Sequence, residues 1–172
     1  MEPDVTLTAD YRDADLTMGW NWLAIQASYG NGFLDRLEHR QQYKVNALKG
    51  WTLGNHKLNL LFIGYYGQSK VPGLAPIDAN LQDTIDSRQK DQTHAGEIAL
   101  NDVWQLAPGS DLQFSGFFRT YNLSLLSNFG DGLIRQSEFR TVTGGNTTYV
   151  RKVSDRVSLM AGLDLLREAR RG

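Results

Sequence analysis

The chain of 172 residues has no cysteine, which excludes disulfide frameworks and thiolate metal sites. It has no excess of either charge. The formal net charge is -1, and the only basic run is the short set Arg167, Arg170 and Arg171, far from the broad basic surface that phosphate backbones require. No nucleic-acid partner is expected. Long apolar runs are missing too: the largest cluster, 58–66, is interrupted by Asn59, whereas a membrane-crossing helix needs about 20 residues. The opening MEPDVTLTADYRD lacks a basic start, an apolar stretch and a small-residue cleavage site, so no signal peptide is expected in it. Helical periodicity is nearly absent.

What is present is alternation with a period of two, the mark of strands with two unlike faces. Eight strand candidates follow one another. The first sets Val5, Leu7, Ala9 and Tyr11 against Thr6, Thr8, Asp10 and Arg12, and the second sets Leu16, Met18, Trp20 and Trp22 against Thr17, Gly19 and Asn21. The third, residues 41–53, carries Tyr43, Val45, Ala47 and Trp51, with Lys49 as a charged intruder; the fourth carries Leu58, Leu60, Phe62, Gly64 and Tyr66. The fifth, 92–105, places Ile98, Leu100 and Trp104 opposite Glu97, Asn101 and Gln105, with Asp102 intruding on its apolar face. The sixth sets Leu112, Phe114, Gly116 and Phe118 against Gln113, Ser115, Phe117, Arg119 and Tyr121. The seventh runs to about Val150, and the eighth carries Val157, Leu159, Ala161, Leu163 and Leu165. The fold class is therefore all-β, an antiparallel up-and-down meander of about eight strands.

The connections alternate in length. Short turns are expected at Arg12–Ala14, Leu53–His56, Ala107–Asp111 and Val153–Arg156, and longer ones at Gly30–Arg40, Gly67–Asp91 and Ser127–Gly132. All short turns then lie at one end of the meander, the layout of an outer-membrane barrel. Several arms reach ten or more alternating residues, which suits tilted membrane strands of about 9–11 residues better than soluble strands of about 5–6.

Which solvent each face meets follows from what it carries. Aromatic residues gather near the ends of strands: Tyr11, Trp51, Trp104 and Tyr149 by the short turns, Tyr29, Tyr65, Tyr66 and Phe129 by the long ones. Such girdles belong at membrane interfaces. Glu97, Arg119, Glu138 and Arg140 stand in mid-strand on polar faces and are the candidate lumen-facing residues. A soluble calyx, whose apolar face points inward, would have to enclose its large residues, and small ones such as Gly64, Gly116 and Ala161 would leave gaps in that dry core. Eight strands close only a narrow, side-chain-filled lumen, so a part of a larger transmembrane β-barrel is expected.

The segments GYYGQSKVPGL (64–74), QDTIDSRQKDQTH (82–94) and FSGFFRTYNLSLLSNFGDGLIRQSEFRTVTGG (114–145) resemble the barrel of TonB-dependent outer-membrane receptors of Gram-negative bacteria. The likeness extends from about Trp20 onward and lies in strand and loop wording, not in a catalytic motif. It implies a plugged barrel of about 22 strands, located in the outer membrane, that takes up a scarce solute such as a siderophore with energy from the TonB complex. Outer-membrane lipid, the TonB complex and a solute ligand are the implied partners. Residues 1–172 then form one region, a partial barrel without plug, TonB box or leader. The alternative is a small eight-stranded outer-membrane barrel with a structural or lipid-modifying enzymatic role.

No catalytic residue, cofactor site or metal site is expected. His39, His56 and His94 fall at turns or strand ends without a carboxylate at ligand spacing. Asp83, Asp86 and Asp91 alternate with Arg88 and Lys90 in a self-neutralising stretch, and their spacing fits no calcium loop. NFGDG at 128–132 has turn chemistry without the helix a phosphate loop needs. GNGFLDRLEHR, from Gly30, sets Phe33, Leu34 and Leu37 on one side of a short helix packed over the barrel mouth. No serine stands in a nucleophile motif beside a base, so the chain is not expected to be an enzyme.

Overall fold

A chain whose alternate residues are apolar and largely β-branched or aromatic is extended, and extended backbone satisfies its polar groups only by pairing sideways. The computed structural model describes residues 5–15, 19–30, 39–70, 89–128 and 132–172. The described elements are strands: β1 (Val5–Asp15), β2 (Gly19–Gly30), β3 (Arg40–Leu53), β4 (His56–Ser69), β5 (Lys90–Ala107), β6 (Ser110–Asn128), β7 (Leu133–Ser154) and β8 (Val157–Arg171). They form a single sheet in chain order, each antiparallel to the next. The expected all-β meander is thus found. β1 and β8 do not pair, so the sheet is open and has two free edges. Among the described residues no helix is long and apolar enough to cross a membrane.

The tight turns are chemically specified. Gly54, between β3 and β4, has φ +58°, and Gly109, after Pro108 between β5 and β6, has φ +75°. Both lie in the left-handed region that only glycine enters at no steric cost. The last turn closes with Arg156 N–H donating to Ser154 Oγ at 3.3 Å. Register irregularities between Gln105 and Ala107 and between Lys152 and Ser154 sit beside these turns, where bulges add twist without disturbing the long ladders.

The hairpins are staggered. The first ends at the pair Asp15↔Gly19, which lies in the row of Trp51↔Leu58, yet β3 and β4 pair two residues further, to Leu53↔His56. That pair lies in the row of Trp104↔Leu112, and β5 and β6 again continue past it, to Ala107↔Ser110. Each hairpin reaches about two residues beyond the previous one, or about one residue per strand. An offset of roughly 3.3 Å along the chain for each roughly 4.8 Å across the sheet tilts the strands by about 35° to the rim. Barrel strands tilt by about 35–45°.

Several boundaries differ from the sequence reading. The first turn does not fall at Arg12–Ala14: those residues belong to β1 and pair with Trp22, Asn21 and Trp20 of β2, and the connection, 16–18, lies outside the described residues. The second strand runs on to Gly30, and its apolar face is Leu23, Ile25, Ala27 and Tyr29, not the face of Trp22. The physical reason is a hydrogen bond: Trp22 Nε1 donates to Asp10 Oδ1 at 2.8 Å, so the indole lies with the polar residues. Gly67–Ser69, Lys90–Asp91 and Ser127–Asn128 are strand, which shortens the longer connections. Asp83, Asp86, Phe129 and the helix expected around Phe33, Leu34 and Leu37 lie outside the described residues.

No hydrophobic residue among the described ones is buried. The accessible surface is 12618 Å², against about 8,500 Å² for a compact monomer of this mass. Apolar burial against water is normally the largest stabilising contribution to a domain, and within this sheet it is missing.

Candidate functional site

Directly opposed residues in an antiparallel pair share a face, so the register sorts all eight strands into two surfaces. One row reads Tyr11, Leu23, Ala47, Phe62, Ile98, Phe118, Thr143 and Arg167 from β1 to β8. A row toward the short turns contains Leu60, Leu100, Gly116, Gly145 and Leu165. Large apolar side chains on this face are open to solvent, with Phe62 43%, Ile98 51%, Phe118 48% and Leu165 68% exposed.

The apolar series has a constant height above the short turns. On β4 it runs from His56 to Tyr66, on β3 from Leu53 to Tyr43 and on β2 from Gly19 to Tyr29. On β6 it stops at Phe118 after starting from Ser110, and on β8 at Leu165 after starting from Val157. Each series covers 9–11 residues, the length of a tilted strand across a bilayer. Because the hairpins are staggered, the band slants across the strands parallel to the short-turn rim. Beyond it β5, β6 and β7 continue with mixed residues, polar ones such as Gln92, Asn122 and Ser137 among apolar ones such as Leu123, Leu126 and Phe139.

Aromatic residues border the band. At its long-loop edge Tyr43 and Tyr66 pack at 5.9 Å between ring centroids, His94 meets Tyr66 edge-on at 4.9 Å, and Tyr29 Oη lies 3.2 Å from His39 Nδ1. At its short-turn edge stand Trp51, Trp104 and Tyr149. Tyr65, expected in the girdle, belongs to the polar face, because it opposes Lys44 and Ala95. The two charged intruders are both accommodated at the short-turn edge. Lys49 Nζ lies 5.6 Å from the Trp51 ring centroid. Asp102 Oδ2 is 2.8 Å from His56 Nδ1, and His56 stacks on Trp104 at 5.2 Å. His56 therefore does have a carboxylate neighbour, one that sequence spacing hides because it comes from the next strand.

The four candidate residues share the opposite, polar face and form two groups. Glu97 and Arg119 are register partners, and Arg119 Nε and Nη2 both approach Glu97 Oε2, at 2.8 and 2.7 Å. Glu138 Oε1 accepts from Arg140 Nη2 at 2.9 Å and lies 3.1 Å from Arg170 Nε, while Arg140 Nε lies 3.2 Å from Glu168 Oε1. Glu168 and Arg170 were not among the candidates. A third group joins Arg12 to Asp10 at 2.9 Å, with Trp22 on the other Asp10 oxygen. The missed signal was an acid and an arginine two residues apart: Asp10 and Arg12, Glu138 and Arg140, Glu168 and Arg170. In a strand that spacing puts both on one face.

These pairs are open to water on their arginine side: the Arg119 side chain is 55% exposed and that of Glu97 18%. The Glu97–Arg119 and Glu138–Arg140 pairs each contribute about 0.2–1 kcal/mol. They are suited to a hydrated wall, where paired charges can open toward a polar solute. No group of three or more His, Asp or Glu that could hold a metal occurs among the described residues. The chain matches no protein-family model and no curated protein.

Proposed function

We propose that the chain is a section of the barrel of a TonB-dependent outer-membrane receptor, whose whole protein takes up a scarce solute with energy from the TonB complex. The observation that carries the membrane part is the slanting apolar band, fully open on one face of a sheet with no buried hydrophobic residue among those described. Lipid covers such a band, and the charged face opposite it lines a wet lumen. The stagger supports a barrel wall, since about 35° is a barrel tilt. The free edges of β1 and β8 favour a section of a larger barrel over a closed eight-stranded one with a structural or lipid-modifying role. The choice of receptor rests on the wording of 64–74, 82–94 and 114–145.

In this reading Glu97, Arg119, Glu138 and Arg140 keep the wall hydrated and offer exchangeable partners to a polar solute. Uptake is binding followed by gating, with no bond broken in the solute.

Fluorescence tests the membrane part. A variant keeping only Trp104, refolded into phosphatidylcholine vesicles, is expected to be quenched by lipids brominated near the headgroups and protected from aqueous iodide. Strong iodide quenching without any bromine effect overturns the lipid-facing band. Uptake tests the receptor part. In the whole receptor, alanine at Arg119 and Arg140 is expected to slow solute uptake with barrel folding intact, and undiminished uptake removes the transport role from this wall.

A further inference from the structure

The polar face is not polar throughout. One row across it reads Trp22, Leu48, Leu61, Ala99 and Phe117 from β2 to β6, then Gly144 and Leu166. The glycine does not interrupt it: a Cβ on Gly144 would fall 2.7 Å from the Phe117 ring and 3.0 Å from Leu166 Cδ1, so these two side chains close over it. None of the row is buried, and Leu166 is 71% exposed. Apolar side chains thus stand uncovered on the wall assigned to water.

Because the hairpins are staggered, the row is not level. Trp22, Leu61, Phe117 and Leu166 stand three, five, seven and nine positions from the short-turn ends of β2, β4, β6 and β8, a climb of about 20 Å along the strands. An apolar constriction that gates by dewetting is a level ring; a row that climbs the wall is a track. On its short-turn side it is bordered by hydrogen-bonding groups, Asn59, Asn101, Ser115 and Asn146. On its other side stand Glu97, Arg119 and Glu168. The Arg119 guanidinium lies 5.9 Å from the Phe117 ring, and Glu168 joins Glu138, Arg140 and Arg170 in a group of two acids and two arginines. That border offers carboxylate and guanidinium in equal number, with no excess of either sign.

We infer that the track conducts a short extended peptide with free termini and apolar side chains. Its side chains follow the apolar row, its backbone amides meet the asparagines, and its ammonium and carboxylate exchange into the acid–arginine pairs. An alkyl chain leaves the asparagines unanswered. A sugar chain needs aromatic faces along its length, and only Trp22 and Phe117 of the row supply them. A polyanion finds no excess of cations. From Leu61 to Leu166 the row spans four strand spacings, about 19 Å, the length of about six extended residues. The inference names the solute class for the uptake reading above and rests on this face being the lumen.

The test uses the full chain refolded into phosphatidylcholine vesicles, where lipid covers the outer band, and titrates it by calorimetry with a hexapeptide of alternating leucine and serine, both termini free. Binding is expected, and hexaserine is expected to bind at least tenfold more weakly, since each leucine side chain removed from water contributes a factor of about ten. Acetylating and amidating the termini lowers the affinity about threefold, the scale of an exposed ion pair. L61N/L166N weakens binding at least tenfold, whereas L159N, at an exposed leucine on the outer face of β8, leaves it unchanged, with all chains compared at equal β-sheet circular dichroism. Equal affinity for hexaserine, undiminished binding by L61N/L166N, or tighter binding of maltohexaose overturns the peptide track; the comparisons between ligands need no variant to fold. The membrane reading falls separately, by the Trp104 quenching described above.

Discussion

Arg119 shows how much one residue reveals about its solvent. It follows two phenylalanines in FFR, and its neighbours across the sheet are Glu97 and Val142. The guanidinium closes on Glu97 from two nitrogens and lies 5.9 Å from the Phe117 ring. Its exposure limits the stabilisation to the modest range of surface pairs. R119A is therefore expected to lower stability by no more than about 1 kcal/mol, read as a small shift in the urea midpoint of the refolded chain. Gly145 is a different case. A methyl group there meets the fixed Ser115 carbonyl, not a side chain that can turn away, so G145A is expected to destabilise the sheet by about 1–3 kcal/mol in the same assay. The arginine's face was legible from alternation. The glycine's crowding was not, because it depends on which backbone lies across from it.

At the level of the element, the strand is the unit that carries the two-solvent pattern. On β4, Leu58, Leu60, Phe62, Gly64 and Tyr66 lie on one side and Asn59, Leu61, Ile63 and Tyr65 on the other. A cation placed mid-band on the lipid side of a membrane strand costs about 2–4 kcal/mol. F62R is expected to lose that much in urea titrations in vesicles, and N59R, three residues away on the opposite face, much less. Equal losses would mean that the two faces of β4 meet the same solvent. Most strand faces could be read from the sequence, because period-two alternation needs no knowledge of partners. β2 could not. In the sequence its alternation of Leu16, Met18, Trp20 and Trp22 suggests the wrong apolar face, and the hydrogen bond from Trp22 to Asp10 on β1 is invisible along the strand. The same limit hid the pairing of His56 with Asp102, 46 residues away.

For the molecule as a whole, the free edges of β1 and β8 matter most. Both present unpaired backbone groups along strands of 11 and 15 residues, and such edges recruit further strands. After refolding in detergent, the chain alone is expected to migrate on a gel without a heat-dependent shift, since that shift reports a closed barrel. A clear heat-modifiable band would show that β1 and β8 close on each other after all. Alternation, turn chemistry and the lengths of the connections by themselves determined an antiparallel meander, the number of strands and the face of nearly every mid-strand residue. These are local properties, written in the spacing along the chain. Only the tertiary structure decided the register, and with it the stagger of the hairpins, the slant of the apolar band, the partners of Asp102 and Glu138, and the open edges. Register is a relation between segments far apart in sequence, and backbone pairing fixes it only when both strands are in place.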